Sequence, residues 1–366
     1  DTSGTLEIQS AGTTKFTVNS AGVDIPAIGT IDGLTSINGG QVGGRRNIVI
    51  NGEMKLAQRS ASVAGLGAAS GYFTLDRWYA QTAASAGRFT MAQVADAPAG
   101  IANCLKISTT TADTSIAAGE YLLLRQKFEG QDLQQLKKGT ASAEQVTISF
   151  YVKGNAAALY VCELQDADNA RTIAQSFAVT TSWNRIELTF AADTSDPLDD
   201  DNAASLMLSF WLHAGSTYAG GTFTSNTWQD STTANRVAVD GFTSIYDSTD
   251  RTFFITGVQM EIGATATDFE SRSYGEELAL CQRYYQTVAC NLYIGNGAGW
   301  YWSTAINFPT TMRSIPSVGT VSGGAAAAID TEIIEQMASS GCRFTILANA
   351  VNAYSIARTY PFIAEL

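Results

Sequence analysis

Residues 251–285 read RTFFITGVQMEIGATATDFESRSYGEELALCQRYY, and they decide the fold because a strand and a helix start stand side by side. From Phe254 the side chains alternate, with Val258, Met260 and Ile262 on one face and Gln259 and Glu261 on the other. A period of two marks a half-buried strand. After Gly263 the pattern gives way to small and hydroxyl-bearing residues. Ser273-Tyr274-Gly275-Glu276 then fits a capping box, in which the Ser hydroxyl and the Glu carboxylate each satisfy a backbone N–H. Leu278, Cys281 and Tyr285 follow at helical spacing, with Glu276 and Glu277 in the first turn and Arg283 near the end, as the helix dipole favours. A strand closing one body, followed by a short helix, predicts a joint between two bodies.

Composition supports short strands over long helices. Hydrophobic residues make up 45% of the 366 and charged residues only 15%, against roughly 25% charged in ordinary soluble domains. The net charge of −12 argues against a nucleic-acid partner. No window of about 18 apolar residues occurs, so no membrane span is expected, and no signal-peptide pattern opens the chain. The first residue is Asp1, not Met, which predicts an upstream segment. Cys104, Cys162, Cys281, Cys290 and Cys342 form no CxxC pair and share one histidine, so they read as buried reduced thiols and not as a zinc site.

Residues 1–46 read as an extended shaft. Leu6–Gly12 is echoed by Phe16–Gly22 ten residues on, and each copy is a short alternating strand ending in glycine. Ile25, Ile28, Ile31, Leu34 and Ile37 then recur every three residues among Gly29, Gly33, Gly39 and Gly40. A helical seam alternates steps of three and four, and each glycine costs a helix roughly 1 kcal/mol. A strict step of three puts these side chains on one edge of an extended path, which three chains wound together would bury. The expectation is a homotrimer.

Between residues 47 and 272 short strands with turn signals between them predict an antiparallel jelly-roll sandwich. Expected strands are 47–52, 76–81, 88–94, 104–108, 121–128, 145–153, 159–165, 171–179, 184–190, 205–213 and 236–239, with 253–262 deep in a sheet. Here the residues carry a resemblance. Asn47–Gly52, Gln58-Arg59, Asp76-Arg77-Trp78, Gln126–Gly130, Thr147–Lys153, the GVQMEIG…TDFESRSYGEELALCQRYYQ run and Phe308–Val318 together resemble a module of bacteriophage tail-fibre and distal virion proteins. The resemblance spans about residues 47–320 and implies a carbohydrate-binding-module-like jelly roll on a trimeric virion appendage. It carries over no catalytic residue. The plainer reading of Asp76, Arg77 and Trp78 is a buried ion pair under an indole.

The linking helix is expected over 273–286 and a small C-terminal β domain over 287–366. Candidate sugar-binding residues are Trp300, Tyr301 and Trp302 beside Asn296, with Trp228 and Tyr218 as a second set, because a pyranose needs a flat aromatic face and polar partners at its edge. Ordinary packing is the plainer reading of each. Asp196, Asp199, Asp200 and Asp201 form the densest acidic cluster, a candidate for Ca2+, with a solvated turn as the plainer reading. His213, the sole histidine, confines imidazole catalysis to one position. The whole is therefore expected to be an all-β, trimeric tail-fibre protein. Its expected partners are host-surface glycan or another envelope receptor and other virion tail proteins, with no catalysis of its own. The alternatives are a purely structural head fibre or capsid decoration, and a polysaccharide depolymerase working through paired carboxylates.

Overall fold

The computed structural model describes residues 6–10, 13–19, 22–24, 36–37, 40–41, 45–83, 85–294, 301–323, 329–348 and 354–366. Two compact units emerge, Asp1–Gly44 and Arg45–Leu366. In the first, β1 (Leu6–Ser10), β2 (Thr13–Asn19) and β3 (Gly22–Asp24) form an antiparallel meander, with Leu6 opposite Val18 and Ile8 opposite Phe16. The two sequence copies therefore pair with each other. A two-residue hairpin joins β4 (Ser36–Ile37) to β5 (Gly40–Gln41). Ile25, Ile28, Ile31 and Leu34 lie outside the described residues, and Ile37 is described only as backbone in β4.

The second unit holds a β-sandwich. Its strands are β6 (Ser62–Leu66), β7 (Tyr79–Ala83), β8 (Arg88–Val94), β9 (Cys104–Thr111), β10 (Tyr121–Glu129) and β11 (Val146–Gly154), followed by β12 (Ala158–Asp166), β13 (Arg171–Val179), β14 (Asn184–Phe190), β15 (Ala204–Ala214), β16 (Gln229–Asp230) and β17 (Thr252–Ile262). One antiparallel sheet runs β16-β13-β12-β15-β10-β7 and the other β14-β11-β17-β9-β8-β6. Alternate residues from both sheets fill the space between them, among them Leu122, Leu124, Leu208 and Phe210 from the first sheet and Ile148, Phe150, Phe253 and Met260 from the second. Phe150 locks the layers together edge-on, with its ring centroid 4.9 Å from Phe210 and 5.1 Å from Phe177.

β17 is an interior strand, as its pattern predicts, but the parity changes midway. Phe253 and Ile255 face the core, and so do Val258 and Met260. Pairing with β11 shifts register between Ser149 and Tyr151, and Gly257 sits opposite that shift at φ 59°. A bulge inserts one residue and flips every side chain beyond it. Segment 47–52, expected as a strand, is instead an irregular plug beside this bulge. Asn47 accepts from the Val49 and Met260 N–H groups through Oδ1, while the Ile48 N–H donates to Met260 and the Val258 N–H to Gly52. Segment 236–239 is likewise loop, and 76–81 becomes strand only from Tyr79.

The capping box is present: Ser273 Oγ accepts from the Glu276 N–H, and the Glu276 carboxylate accepts from the Ser273 N–H, opening α2 (Tyr274–Gln282). Beyond it β18 (Tyr285–Ile294), β19 (Tyr301–Asn307), β20 (Ser317–Val318), β21 (Ser322–Gly323), β22 (Ile329–Ala338), β23 (Gly341–Ala348) and β24 (Tyr354–Ile363) build two small sheets. Phe308, Phe344, Tyr360 and Phe362 lie in the core between them.

This C-terminal part is tied to the sandwich through Arg77, whose role departs from the expected pair with Asp76. The Arg77 side chain is 1% exposed and donates to Glu365 Oε2 at 2.6 Å and to the Lys127 carbonyl at 2.6 Å. Its guanidinium lies 3.4 Å over the Tyr284 ring. Burial pulls its pKa down, but Glu365 and the two tyrosines Tyr284 and Tyr72 outweigh that and hold it above the usual range. Asp76 pairs with Gln58 and Arg59, and Trp78 Nε1 donates to the Asn51 carbonyl. The three residues point to three different partners.

Candidate functional site

The side of the β16–β7 sheet turned away from the core carries an unusual surface. Register dictates its composition. On β10 and β7 Arg125 stands opposite Tyr79; on β15 Ser209 stands opposite Arg125, and on β12 Glu163 stands opposite Ser209. A parallel row places Met207 opposite Lys127 and Gln165 opposite Met207. At roughly 4.8 Å per strand, four neighbouring strands give a face about 14 Å across.

These side chains form a continuous hydrogen-bonded net. Arg125 donates from Nε to Ser209 Oγ (2.8 Å), from Nη1 to Gln81 Oε1 (3.0 Å) and from Nη2 to Gln165 Oε1 (3.1 Å). Gln81 Nε2 donates to the Tyr121 hydroxyl at 3.2 Å. From the loop after β15, Arg236 grips both oxygens of Glu163 and also donates to Gln165 Oε1 at 3.0 Å. Trp211 Nε1 (3.0 Å) and Thr172 Oγ1 (2.8 Å) donate to the same carboxylate. Burial pushes the Glu163 carboxyl up, but Arg236 and Trp211 more than offset it and hold the group below its usual range. Burial pushes the Arg125 guanidinium down to about 10, with Arg236 adding to the effect.

An apolar wall bounds one end. Leu123, Val161 and Trp211 pack under the loop carrying α1 (Ser216–Ala219) and Val237. At the other end Lys127 Nζ donates to the Leu366 carbonyl at 2.7 Å and sits 5.2 Å from the Tyr79 ring centroid, which in turn lies 4.8 Å from that of Tyr72. Between the two ends Tyr79, Gln81, Met207 and Gln165 are half-buried. Rings, amides and guanidinium together can hold a polyhydroxylated ligand by stacking and by paired hydrogen bonds.

No protein-family model matches the chain, and no curated protein matches it in sequence. Among solved structures, one described as "CBM4 structure and function" is 14% identical, covering 58% of this chain and 97% of that one at a TM-score of 0.29. The family 11 carbohydrate-binding module of a Clostridium thermocellum cellulosomal cellulase is 16% identical (55% and 99% covered, TM-score 0.28). The family 30 module of another C. thermocellum cellulosomal cellulase is 11% identical (57% and 98% covered, TM-score 0.28). These likenesses leave the function to be read from the face itself.

The residues singled out from sequence are scattered. Tyr218 borders the face: its ring lies 5.1 Å from that of Tyr121 and 5.5 Å from that of Trp211. Trp228 is a half-buried packing residue at the sandwich edge, with Nε1 donating to the Ala191 carbonyl at 2.7 Å. Tyr301 projects from β19 and is 66% exposed. Asn296, Trp300 and the Trp302 side chain lie outside the described residues.

The calcium candidates Asp196, Asp199, Asp200 and Asp201 are all exposed, and no metal-holding group of three or more His, Cys, Asp or Glu exists among the described residues. Beside them Lys138 Nζ lies 2.6 Å from Asp166 and 3.1 Å from Asp193, and donates to the Ser195 and Asp196 carbonyls.

His213 stands in a chain of hydrogen bonds, with Nδ1 2.8 Å from Ser244 Oγ and Nε2 3.2 Å from Glu120. The ring is fully buried against Tyr246, and Ser244 Oγ also accepts the Tyr246 N–H. This serine is committed to its own turn. All five cysteines are free and buried, as expected.

The Arg125 face escaped the sequence reading. Its signal was a charge closing an apolar run in each of two strands, Arg125 in YLLLRQKFE and Glu163 in ALYVCELQD.

Proposed function

We propose that this chain is a non-catalytic glycan-binding protein whose ligand lies across the outer face of the β16–β7 sheet. The observation that carries the reading is the register-matched row Tyr79, Arg125, Ser209 and Glu163, netted to Gln81, Gln165 and Arg236. A face made of a ring, amides and fixed guanidinium groups suits hydroxyl pairs on a short oligosaccharide. Glu163 is held in four hydrogen bonds and ionised, which suits it to positioning and not to donating a proton to a glycosidic oxygen.

The finer setting follows the resemblance stated above. The chain acts as a trimeric bacteriophage tail-fibre component, exposed on the virion and touching the host surface, with the Ile25–Ile37 seam supplying the threefold contact. Three weak sites on one trimer then raise effective affinity through avidity. Binding of the full chain to an array of bacterial surface oligosaccharides tests the reading. Gln165→Ala and Tyr79→Ala should each weaken retained signals severalfold in chains that remain folded by circular dichroism. An array with no retained signal sinks it.

A further inference from the structure

Arg125 is 6% exposed, yet among the described residues no carboxylate lies within 4 Å of its guanidinium. Arginine has five N–H donors. Four of them meet protein acceptors: Ser209 Oγ, Gln81 Oε1, Gln165 Oε1 and the Met207 thioether at 3.2 Å, the last a weak acceptor. The carboxylate in the same row, Glu163, is engaged on both oxygens by Arg236. Lys127, two residues along the same strand and face, donates to a main-chain oxygen of Leu366 and lies against the Tyr79 ring. Arg125 and Arg236 thus share one side-chain carboxylate, Glu163, in a chain whose net charge is −12. A buried charge without a full counter-charge is costly, and Arg125 lies beside the half-buried Tyr79, Gln81 and Gln165.

We infer that the missing anion is the ligand's: the face takes an acidic glycan, with the carboxylate of a uronic acid residue docking on Arg125 and Lys127. This rests on the glycan reading above and adds charge selectivity to it. A planar carboxylate matches the guanidinium fork, which a hydroxyl pair does so only weakly.

The test is calorimetric titration of the full chain with matched oligosaccharides. One pair is oligogalacturonate and its fully methyl-esterified form; a second is cello-oligosaccharide with and without oxidation to the glucuronate; a sulfated neutral oligosaccharide completes the set. Acid forms should bind roughly 30-fold tighter than their neutral partners. Sodium chloride should weaken the acid forms alone. Arg125→Gln should abolish the preference and Arg125→Lys should retain part of it; should either variant fail to fold, the salt dependence of the wild-type chain decides. Equal binding of acid and neutral forms overturns the inference and leaves the glycan reading standing. Preference for the sulfated probe over both uronates overturns the carboxylate assignment. Absence of binding to every probe brings down the glycan reading itself.

Discussion

Arg77 shows how much a single side chain can hold. Its guanidinium is sealed between Tyr284, Glu365 and the Lys127 carbonyl, so removing Glu365 strands Arg77 in a dry site, whereas Glu365 keeps a second partner in Arg59 at 2.9 Å. Breaking a buried pair from one side costs about 3–5 kcal/mol. Glu365→Gln should therefore lower the free energy of urea unfolding by that amount, Arg77→Met by less, and the double change by less than the sum. His213 offers a pH test. Burial lowers its proton affinity against the opposing pull of Glu120 and Asp113, with Ser244 and Tyr246 completing its surroundings. The folded chain then binds fewer protons than the unfolded one near the ordinary imidazole pKa of about 6.5. The stability this contributes is present above that pKa and is lost as pH falls through it. Between pH 7.5 and 5.5 the wild-type chain should lose melting temperature relative to His213→Gln; parallel curves would refute the assignment.

Among the elements, β17 is open to disruption by one added carbon. Gly257 adopts φ 59°, and a Cβ there would lie 2.9 Å from Ile101 Cδ1 and 2.9 Å from Tyr151 Cδ2. Gly257→Ala should cost roughly 1–3 kcal/mol by chemical denaturation. Ser273→Ala removes the cap of α2 and should cost about 1 kcal/mol. Both features bear on what was legible in the sequence. The Ser273 cap was, because a capping box is a local pattern. The strand identity of β17 was legible too, but its parity was not: alternation read forward from Phe254 looks unbroken, and only pairing with β11 reveals the extra residue at Gly257. Asn47–Gly52 has the apolar run of a strand, yet its two asparagines spend their amides on other backbone, which no local window shows. Val237 reads as strand and is a loop residue pressed onto Trp211 and its neighbours. The candidate face was invisible for a related reason. Tyr79, Arg125, Ser209 and Glu163 come from four strands spread over 130 residues of sequence, and register alone sets them in line.

For the whole molecule, the separation of Asp1–Gly44 from Arg45–Leu366 yields a clean experiment. The full chain should have three times the chain mass by light scattering, and a version starting at Arg45 should be a folded monomer with unchanged oligosaccharide affinity in solution. On an immobilised multivalent glycan surface, loss of the first unit should weaken retention by about a hundredfold or more. A monomeric full chain would remove the trimeric fibre reading while leaving the face untouched.

The clasp between Arg77 and Glu365 spans 288 positions of chain. During synthesis the sandwich leaves the ribosome long before that acid exists, so the arginine must wait, solvated, in an unfinished socket. A prematurely released product would carry this socket open and display it to proteases or chaperones. Translation through Glu365 is thereby written into the stability of the sandwich, which a single late carboxylate sets.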